Sequence, residues 1–331
     1  MSEIAPLAAA LVAWFEREGK SYPWRDTCDP WFILVSEVML QQTTISTVIA
    51  RYMPWMEQFP TPRHLAEASE EQALRSWEGL GYYRRVRNLQ AAAKAIVECH
   101  AGQFPRAEAD IKALPGIGDY TLGAVLSFAY NQAAPLVDAN VSRVLARVFN
   151  DPTPIDSTAG KKRQWQQARE LLHSTNARAY NSALMELGQR ICSIAQPQCL
   201  ICPIREYCRA TEPEKLPVKQ AKTSITEVEH WDIFYLDPIK GLLMEQQADS
   251  KRHAGMYRFP SRPQAQAEQY PLLAKQKYSV TRYKVTRYLH QAPSRINARK
   301  GEVFIKLSEL ASTPMASPDR KLVNKLIKAS I

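Results

Sequence analysis

The stretch from Leu114 to Asn140 constrains the fold more than any other part of this 331-residue chain. It opens with the glycine-rich turn Leu-Pro-Gly-Ile-Gly (114–118) and continues into a segment with apolar residues at helical spacing. Glycines let a backbone approach a ligand closely, and the free N–H groups of the next helical turn attract an anion. The stretch therefore predicts a hairpin that grips phosphate through Gly116 and Gly118, with a plain helix–helix turn as the alternative.

An acid follows this hairpin and its helix. Asp138 stands directly before a second helical pattern formed by Val141, Val144, Leu145 and Val148. A carboxylate at a helix N-terminus is stabilised in its ionised form, so we expect Asp138 to stay charged. Its simpler role would be that of an N-cap.

The hairpin, together with Val-Asp-Ala-Asn at 137–140, resembles the helix-hairpin-helix DNA glycosylases, the superfamily of endonuclease III and the MutY-type adenine glycosylases. The resemblance extends over about residues 7–209 and, in patches, over 231–307. It implies a mainly α fold, with a helix-hairpin-helix glycosylase domain that carries an iron–sulfur cluster loop and a C-terminal α+β Nudix-like domain.

A lone carboxylate lies in the segment 31–44, which is apolar on nearly every helical face and should be buried. Burial would raise the pKa of Glu37 and suit it to general acid catalysis, although a buried ion pair with an arginine is equally compatible. Ser-Glu-Val-Met-Leu-Gln-Gln-Thr (36–43) resembles the adenine-glycosylase signature. The resemblance implies that Glu37 is the catalytic acid and that Gln41, Gln42 and Thr43 contact DNA around an extruded base.

The same resemblance assigns further site residues. Tyr120 stands where lyase-competent relatives carry a lysine, and a hydroxyl cannot form a Schiff base, so base removal without efficient strand cleavage is expected. Tyr120 and Asn140 would orient the carboxylate and the sugar. Trp24 and Arg25 would line the base pocket, although from the residues alone they suit packing equally well. Ala139 and Ser182 depart from the family pattern.

A second glycine-rich turn, Gly-Leu-Gly-Tyr-Tyr-Arg-Arg (79–85), combines aromatic and cationic residues. A tyrosine in a turn more often packs than intercalates. The resemblance implies that Leu80 and Tyr82 belong to an element that enters the duplex as the base leaves.

Four of the six cysteines crowd into one short segment. They are Cys192, Cys199, Cys202 and Cys208. In a chain without an apparent export signal, such a group indicates a metal site rather than disulfides. The spacing C-x6-C-x2-C-x5-C is typical of a [4Fe–4S] cluster and resembles the cluster loop of these glycosylases, whereas thiolate chemistry alone would also permit zinc.

A net charge of +10 favours a polyanionic partner, here double-stranded DNA, and no segment is apolar enough to span a membrane. We expect a monomer in the cytoplasm, associated with the nucleoid. The predicted domains are residues 1–210, a solvated linker at 211–226, and residues 227–331. Strands are expected at 230–236, 241–245, 277–290 and 302–307, with a closing helix at 319–329.

In the C-terminal domain, Ala-Gly-Met-Tyr-Arg-Phe-Pro (254–260) resembles an element of the Nudix-like domain. Thr281, Arg282 and Tyr283 stand where relatives recognise 8-oxoguanine, and arginine suits the acceptors of ordinary guanine, which predicts a weakened preference for the lesion. Alternating cations and tyrosines at 275–288 suit nucleic-acid binding, or a solvated strand face.

Together these residues imply a monofunctional adenine DNA glycosylase of base excision repair, acting on adenine opposite 8-oxoguanine or guanine. A thymine glycosylase for G·T mismatches and a non-catalytic damage-binding protein are the alternatives.

Overall fold

The computed structural model describes residues 4–173, 175–220, 225–248, 254–280, 282–293 and 296–330. The chain divides into two compact units. Unit 1 comprises residues 1–67 and 88–222, and unit 2 comprises residues 68–87 and 223–331. The inclusion of residues 68–87 in the second unit was not anticipated from the sequence.

As far as residue 190, all regular secondary structure of the described chain is α-helical. Its helices are α1 (Ile4–Glu18), α2 (Pro30–Leu40), α3 (Ile45–Gln58), α4 (Pro62–Glu67), α5 (Glu70–Ser76), α6 (Arg84–Cys99), α7 (Glu108–Ala113), α8 (Asp119–Tyr130), α9 (Ala139–Val148), α10 (Thr158–Glu170) and α11 (Ala177–Arg190). Of these, α5 and the first turn of α6 lie in unit 2. The predicted helical domain is confirmed.

The hairpin between α7 and α8 depends on one glycine. Gly116 has a φ of +81°, and a Cβ atom built there would lie 2.7 Å from the Cβ atom of Asn88. Any other residue would therefore strain the backbone and clash with α6. Gly118 is the N-cap of α8, and Asp119, the first helical residue, pairs with Lys112.

The core of unit 1 fixes where α9 begins. Apolar side chains of α1, α9 and α11 form one buried cluster, which includes Leu11, Val141, Leu145, Leu184 and Leu187. Burial of these side chains holds α9 against two neighbouring helices and thereby places Asp138, its N-cap, at a set position.

The segment after the cysteines differs from the solvated linker expected for 211–226. Leu216 is buried, and the Arg147 guanidinium donates hydrogen bonds to the carbonyl oxygens of Pro213 at 2.7 Å and of Leu216 at 3.1 Å. This part of the segment is packed onto unit 1 because a buried arginine needs acceptors. Residues 221–224 lie outside the described residues.

Unit 2 contains two sheets, as the α+β prediction requires. Its strands are β1 (Thr226–Phe234), β2 (Leu236–Asp237), β3 (Gly241–Gln246), β4 (Tyr257–Arg258), β5 (Leu272–Val280), β6 (Tyr283–Gln291) and β7 (Glu302–Ile305), with helices α12 (Gln264–Ala267) and α13 (Ser317–Ser330). The order of the first sheet is β1-β6-β5, with β1 parallel and β5 antiparallel to β6. In the second, β3 pairs with β2, β4 and β7.

The predicted strand at 277–290 is instead a hairpin of β5 and β6, and its cationic and aromatic residues divide between two faces. Lys275, Lys277 and Tyr288 lie on the outer face, whereas Tyr278 and Arg287 lie on the inner one. Arg287 is 2% exposed and pairs with Asp232 and Asp319 at 2.9 and 3.0 Å. Only part of this stretch can therefore contact a nucleic acid. No helix in the described ranges is both long and apolar enough to cross a membrane.

Candidate active site

A cavity of about 1110 Å³ lies in unit 1. Its wall is formed by residues from separate segments of the chain, and many of them are site residues predicted from the sequence. Glu37 and Asp138 both line it, so the two carboxylates share one space. The other predicted residues on its wall are Trp24, Arg25, Gln41, Gln42, Thr43, Gly116, Gly118, Tyr120, Asn140 and Ser182.

Glu37 lies on the buried helix α2, where 3% of the residue is exposed. The Tyr120 hydroxyl donates a hydrogen bond to its Oε2 atom at 2.6 Å. Burial raises the pKa of Glu37 to about 7, with a further rise from the charge of Asp138, while Tyr120 and Arg25 act in the opposite direction. A carboxyl group with this pKa is part protonated near neutral pH, as a general acid must be.

Asp138 caps α9 in the expected way. Its Oδ1 atom accepts from the Val141 N–H at 2.7 Å, and its Oδ2 atom accepts from the Asn140 amide at 3.2 Å. The expected stabilisation of its anion is nevertheless outweighed, because burial raises the pKa of Asp138 above its ordinary value although the hydrogen bonds and Arg143 lower it. The sequence revealed the helix terminus but not the desolvation.

Trp24 and Arg25 reach the cavity through aromatic and ionic packing. Trp24 is 8% exposed and stacks on Tyr22, with ring centroids 5.1 Å apart. Arg25 lies over the Tyr22 ring at 4.9 Å and pairs with the buried Glu186. The same Glu186 accepts from Arg190 at 2.7 Å, so a buried ion pair holds this wall of the cavity.

Sequence reasoning missed two residues that support the site. Arg143 is 5% exposed and donates to the Oδ1 atom of Asn140 at 3.0 Å and to the Gly188 carbonyl at 2.6 Å. Glu186 is 1% exposed on α11, whose buried residues also include the polar Asn181 and Ser182. The signal that drew attention to Glu37, a carboxylate within an apolar helix, was absent for Glu186, because α11 also carries polar and basic residues.

The Gly79–Arg85 turn lies in unit 2 and has a left-handed backbone. Gly79, Gly81 and Tyr82 have φ values of 95°, 69° and 48°. Tyr82 is 44% exposed, whereas Leu80 is 4% exposed and is therefore placed in the interior rather than on a DNA-facing surface. A non-glycine residue in this backbone region is strained and is often functional.

The lesion-recognition prediction falls partly outside the described residues. Thr281 belongs to the undescribed positions. Arg282 is exposed at the β5–β6 connection, with its guanidinium 5.2 Å from the centre of the Tyr283 ring and one N–H donating to the Tyr283 hydroxyl at 3.2 Å.

The four cysteine thiols at 192–208 lie near enough to act on one another. Burial, and then the neighbouring thiols, raise the pKa of Cys202 to about 11. Arg147 donates to the Sγ atom of Cys192 at 3.1 Å. Among the described residues, no three His, Cys, Asp or Glu side chains converge on a single-ion site. Four neighbouring cysteine side chains with a hydrogen-bonding arginine are a donor set that suits an iron–sulfur cluster.

The fold and the cavity define a helix-hairpin-helix protein with two carboxylates beside its hairpin. Residues 35–167 match the HhH-GPD superfamily of base excision DNA repair proteins. This part of the chain thus carries the domain of that superfamily.

Its relatives include the adenine DNA glycosylase of Homo sapiens, 38% identical over 241 residues, which are 69% of this chain and 44% of the relative. The Mycobacterium tuberculosis adenine DNA glycosylase is 39% identical over 60% of this chain and 65% of its own length. This chain thus spans 44% and 65% of the length of these two relatives.

Solved structures agree on the fold. A thermostable thymine-DNA glycosylase is 26% identical, with a TM-score of 0.59, over 64% of this chain and 97% of that one. An endonuclease III trapped as a covalent DNA intermediate is 22% identical, with a TM-score of 0.54, over 65% of this chain and 97% of that one.

The raised pKa of Glu37 predicts how stability depends on pH. The folded-state pKa is about 7 against an ordinary 4.5, so the parent loses stability as pH rises through this interval. The loss is on the order of 3 kcal/mol. Glu37→Gln cannot ionise, so it should increase the free energy of unfolding at about pH 8 and change it little at about pH 4. Denaturant unfolding at both pH values checks this.

Glu57→Gln, at an exposed position on α3, is the matched control and should leave the pH dependence unchanged. An equal effect of Glu37→Gln at both pH values would contradict the prediction.

Proposed function

We propose that this protein is a monofunctional adenine DNA glycosylase of base excision repair. It would hydrolyse the N-glycosidic bond of adenine mispaired with 8-oxoguanine or guanine. The observation that carries the proposal is that Glu37 and Asp138 line one cavity, with the pKa of Glu37 raised to about 7. The similarity to adenine DNA glycosylases at 34–41% identity supports the choice of base.

Glu37 would act first, as the proton donor. Once adenine is flipped out of the duplex into the cavity, the protonated carboxyl group would protonate N7, which makes the neutral base a better leaving group. The Tyr120 hydroxyl donates to Glu37 at 2.6 Å and fixes the rotamer of the carboxyl group. It would also stabilise the carboxylate after the proton has been transferred.

Asp138 would act on the sugar. Departure of adenine leaves positive charge on the oxocarbenium-like deoxyribose, and an ionised Asp138 would stabilise that charge or bond to C1′ transiently before water adds. Asn140 and the Val141 N–H hold the two carboxylate oxygens at 3.2 and 2.7 Å. Because burial raises the pKa of Asp138, these hydrogen bonds and the Arg143 charge are what favour the ionised form.

Tyr120 would limit the reaction to hydrolysis. A phenol cannot form a Schiff base with the sugar, so strand cleavage should not accompany base removal.

DNA would be held by backbone groups as well as side chains. The hairpin N–H groups at Gly116 and Gly118 would bind phosphate, while Gln41, Gln42 and Thr43 line the cavity into which the extruded base would move. In unit 2, the exposed and strained Tyr82 would enter the base stack.

We also propose that the four cysteines of the 192–208 segment hold a [4Fe–4S] cluster. The cluster would hold together a segment that carries the exposed cations Arg205 and Arg209. It supplies cross-linking of this segment, and none of the chemical steps above involves it.

Purified protein should contain about four iron atoms and four sulfides per chain. Stoichiometric zinc without sulfide would contradict the assignment.

Arg282 is proposed to weaken the preference for 8-oxoguanine. Its exposed guanidinium suits the O6 and N7 acceptors of guanine, whereas N7 of the oxidised base carries a hydrogen. Excision rates on A·8-oxoguanine and A·G duplexes should therefore be similar. Arg282→Ala should lower the A·G rate more than it lowers the A·8-oxoguanine rate. A strong lesion preference that Arg282→Ala abolishes would contradict this proposal.

The roles of the two carboxylates can be tested directly. Asp138→Asn and Glu37→Gln should each bind a mispaired duplex and lose at least about a hundredfold in the single-turnover rate of adenine excision. The assay uses A·8-oxoguanine, A·G and T·G duplexes, with and without alkali after the reaction. Excision at T·G alone would favour a thymine glycosylase, and binding without excision by the parent would favour a damage-binding protein. Near-parent rates in either variant would remove that carboxylate from its role.

A further inference from the structure

We infer that residues 310–320, the anchor segment, position Tyr82 for insertion into DNA, with Arg320 as the principal positioning residue. The anchor segment comprises the loop before α13 and the first turn of that helix. It lies in unit 2, as do residues 68–87 with their Gly79–Arg85 turn. The inference rests on the proposed function, because it concerns how a side chain proposed to contact DNA is held.

The first contact holds the chain just before the turn. Glu78 is 8% exposed, and the Arg320 Nε and Nη2 atoms lie 2.8 and 3.1 Å from its two carboxylate oxygens. Arg75 adds a third donor at 2.9 Å. Two further Arg320 N–H groups donate to the carbonyl oxygens of Leu310, at 2.5 Å, and of Thr313. A bidentate guanidinium that makes two further hydrogen bonds permits little rotation of either partner.

The second contact holds the chain just after the turn. The Tyr83 hydroxyl donates to the carbonyl oxygen of Met315 at 3.1 Å in a buried setting. Tyr83 and Met315 are 3% and 0% exposed. The anchor segment therefore fixes the residue before Gly79 and the residue after Tyr82.

The turn itself needs such support. Its backbone has left-handed φ values at Gly79, Gly81 and Tyr82, and a strained non-glycine residue of this kind costs about 1–3 kcal/mol and persists only when its surroundings enforce it. Within the turn, Arg85 donates to the carbonyl oxygens of Leu80 and Gly81 at 2.8 and 3.1 Å. These contacts close the turn but do not orient it relative to the strands of unit 2.

A purely stabilising role would be served better by apolar packing. Buried ion pairs often contribute less to stability than hydrophobic residues of the same volume, whereas they fix geometry closely. Glu78, the residue next to the exposed Tyr82 turn, is held by the largely buried Arg320 and by the more exposed Arg75. The arrangement therefore suits a device that presents Tyr82 in one orientation before DNA arrives.

The test compares Arg320→Ala and Tyr83→Phe with a control in the full-length protein. Arg262→Ala is the matched control, because Arg262 forms a similar bidentate buried pair with Glu302, at 2.5 and 3.1 Å, in the same unit. Each substitution is made in the parent and in Tyr82→Ala. Single-turnover adenine excision and hydrogen–deuterium exchange of residues 79–83 in the DNA-free protein are measured.

If the inference is right, Arg320→Ala lowers the excision rate about tenfold in the parent and hardly at all in Tyr82→Ala, because both changes remove the same contribution. Tyr83→Phe, which removes one oxygen atom, should show the same dependence on Tyr82 with a smaller loss, and it tests the inference even if Arg320→Ala does not fold. Exchange at residues 79–83 should accelerate in Arg320→Ala and stay at the parent rate in Arg262→Ala.

The inference is overturned if Arg320→Ala and Tyr83→Phe lower the rate by the same factor with and without Tyr82, or if exchange at 79–83 does not change. A parent protein that does not excise adenine would refute the proposed function instead, and the exchange measurement would still decide whether the anchor segment orders the turn.

Discussion

The active-site proposal depends on one unfavourable interaction, the burial of the Glu37 carboxyl group in an apolar helix. Ile33, Leu34 and Val38 surround it along α2, and each is less than 10% exposed. An ionised carboxylate in such a setting is costly, and the Tyr120 hydrogen bond offsets only part of that cost, since the pKa of Glu37 still rises to about 7. Helix α2 thus holds the Glu37 carboxyl group in an environment that disfavours the ionised form.

The second carboxylate is positioned by a helix that also supports the cysteine segment. Asp138 caps α9, and the buried Arg143 and Arg147 project from the same helix. Arg143 donates to Asn140 and to the Cys192 carbonyl, at 3.0 and 2.8 Å, and Arg147 binds the carbonyl of Ser193 at 2.7 Å. Because all these contacts begin on one packed helix, the carboxylate and the cysteine segment have a common support.

Sequence patterns predicted those parts of the structure that depend on local periodicity. The apolar spacing around Glu37 and the glycines of the hairpin indicated a buried helix and a tight turn, and both are present. The sequence could not show that burial outweighs the helix terminus at Asp138, because desolvation is set by distant segments. Nor could it assign Tyr278 and Tyr288 to opposite faces, since that assignment requires the register of β5 on β6.

Both units use the same arrangement beside an element proposed to contact DNA. Glu186 in unit 1 accepts from Arg25 and Arg190, and Glu78 in unit 2 accepts from Arg75 and Arg320. In each case one buried glutamate satisfies two arginines. A hydrophobic residue could fill that volume at lower cost, but it would not fix a direction, whereas a carboxylate with several donors accepts few geometries. The protein thus accepts a lower stability at two places in order to fix the orientation of side chains there. These places are the wall of the proposed base cavity and the turn that carries the exposed Tyr82.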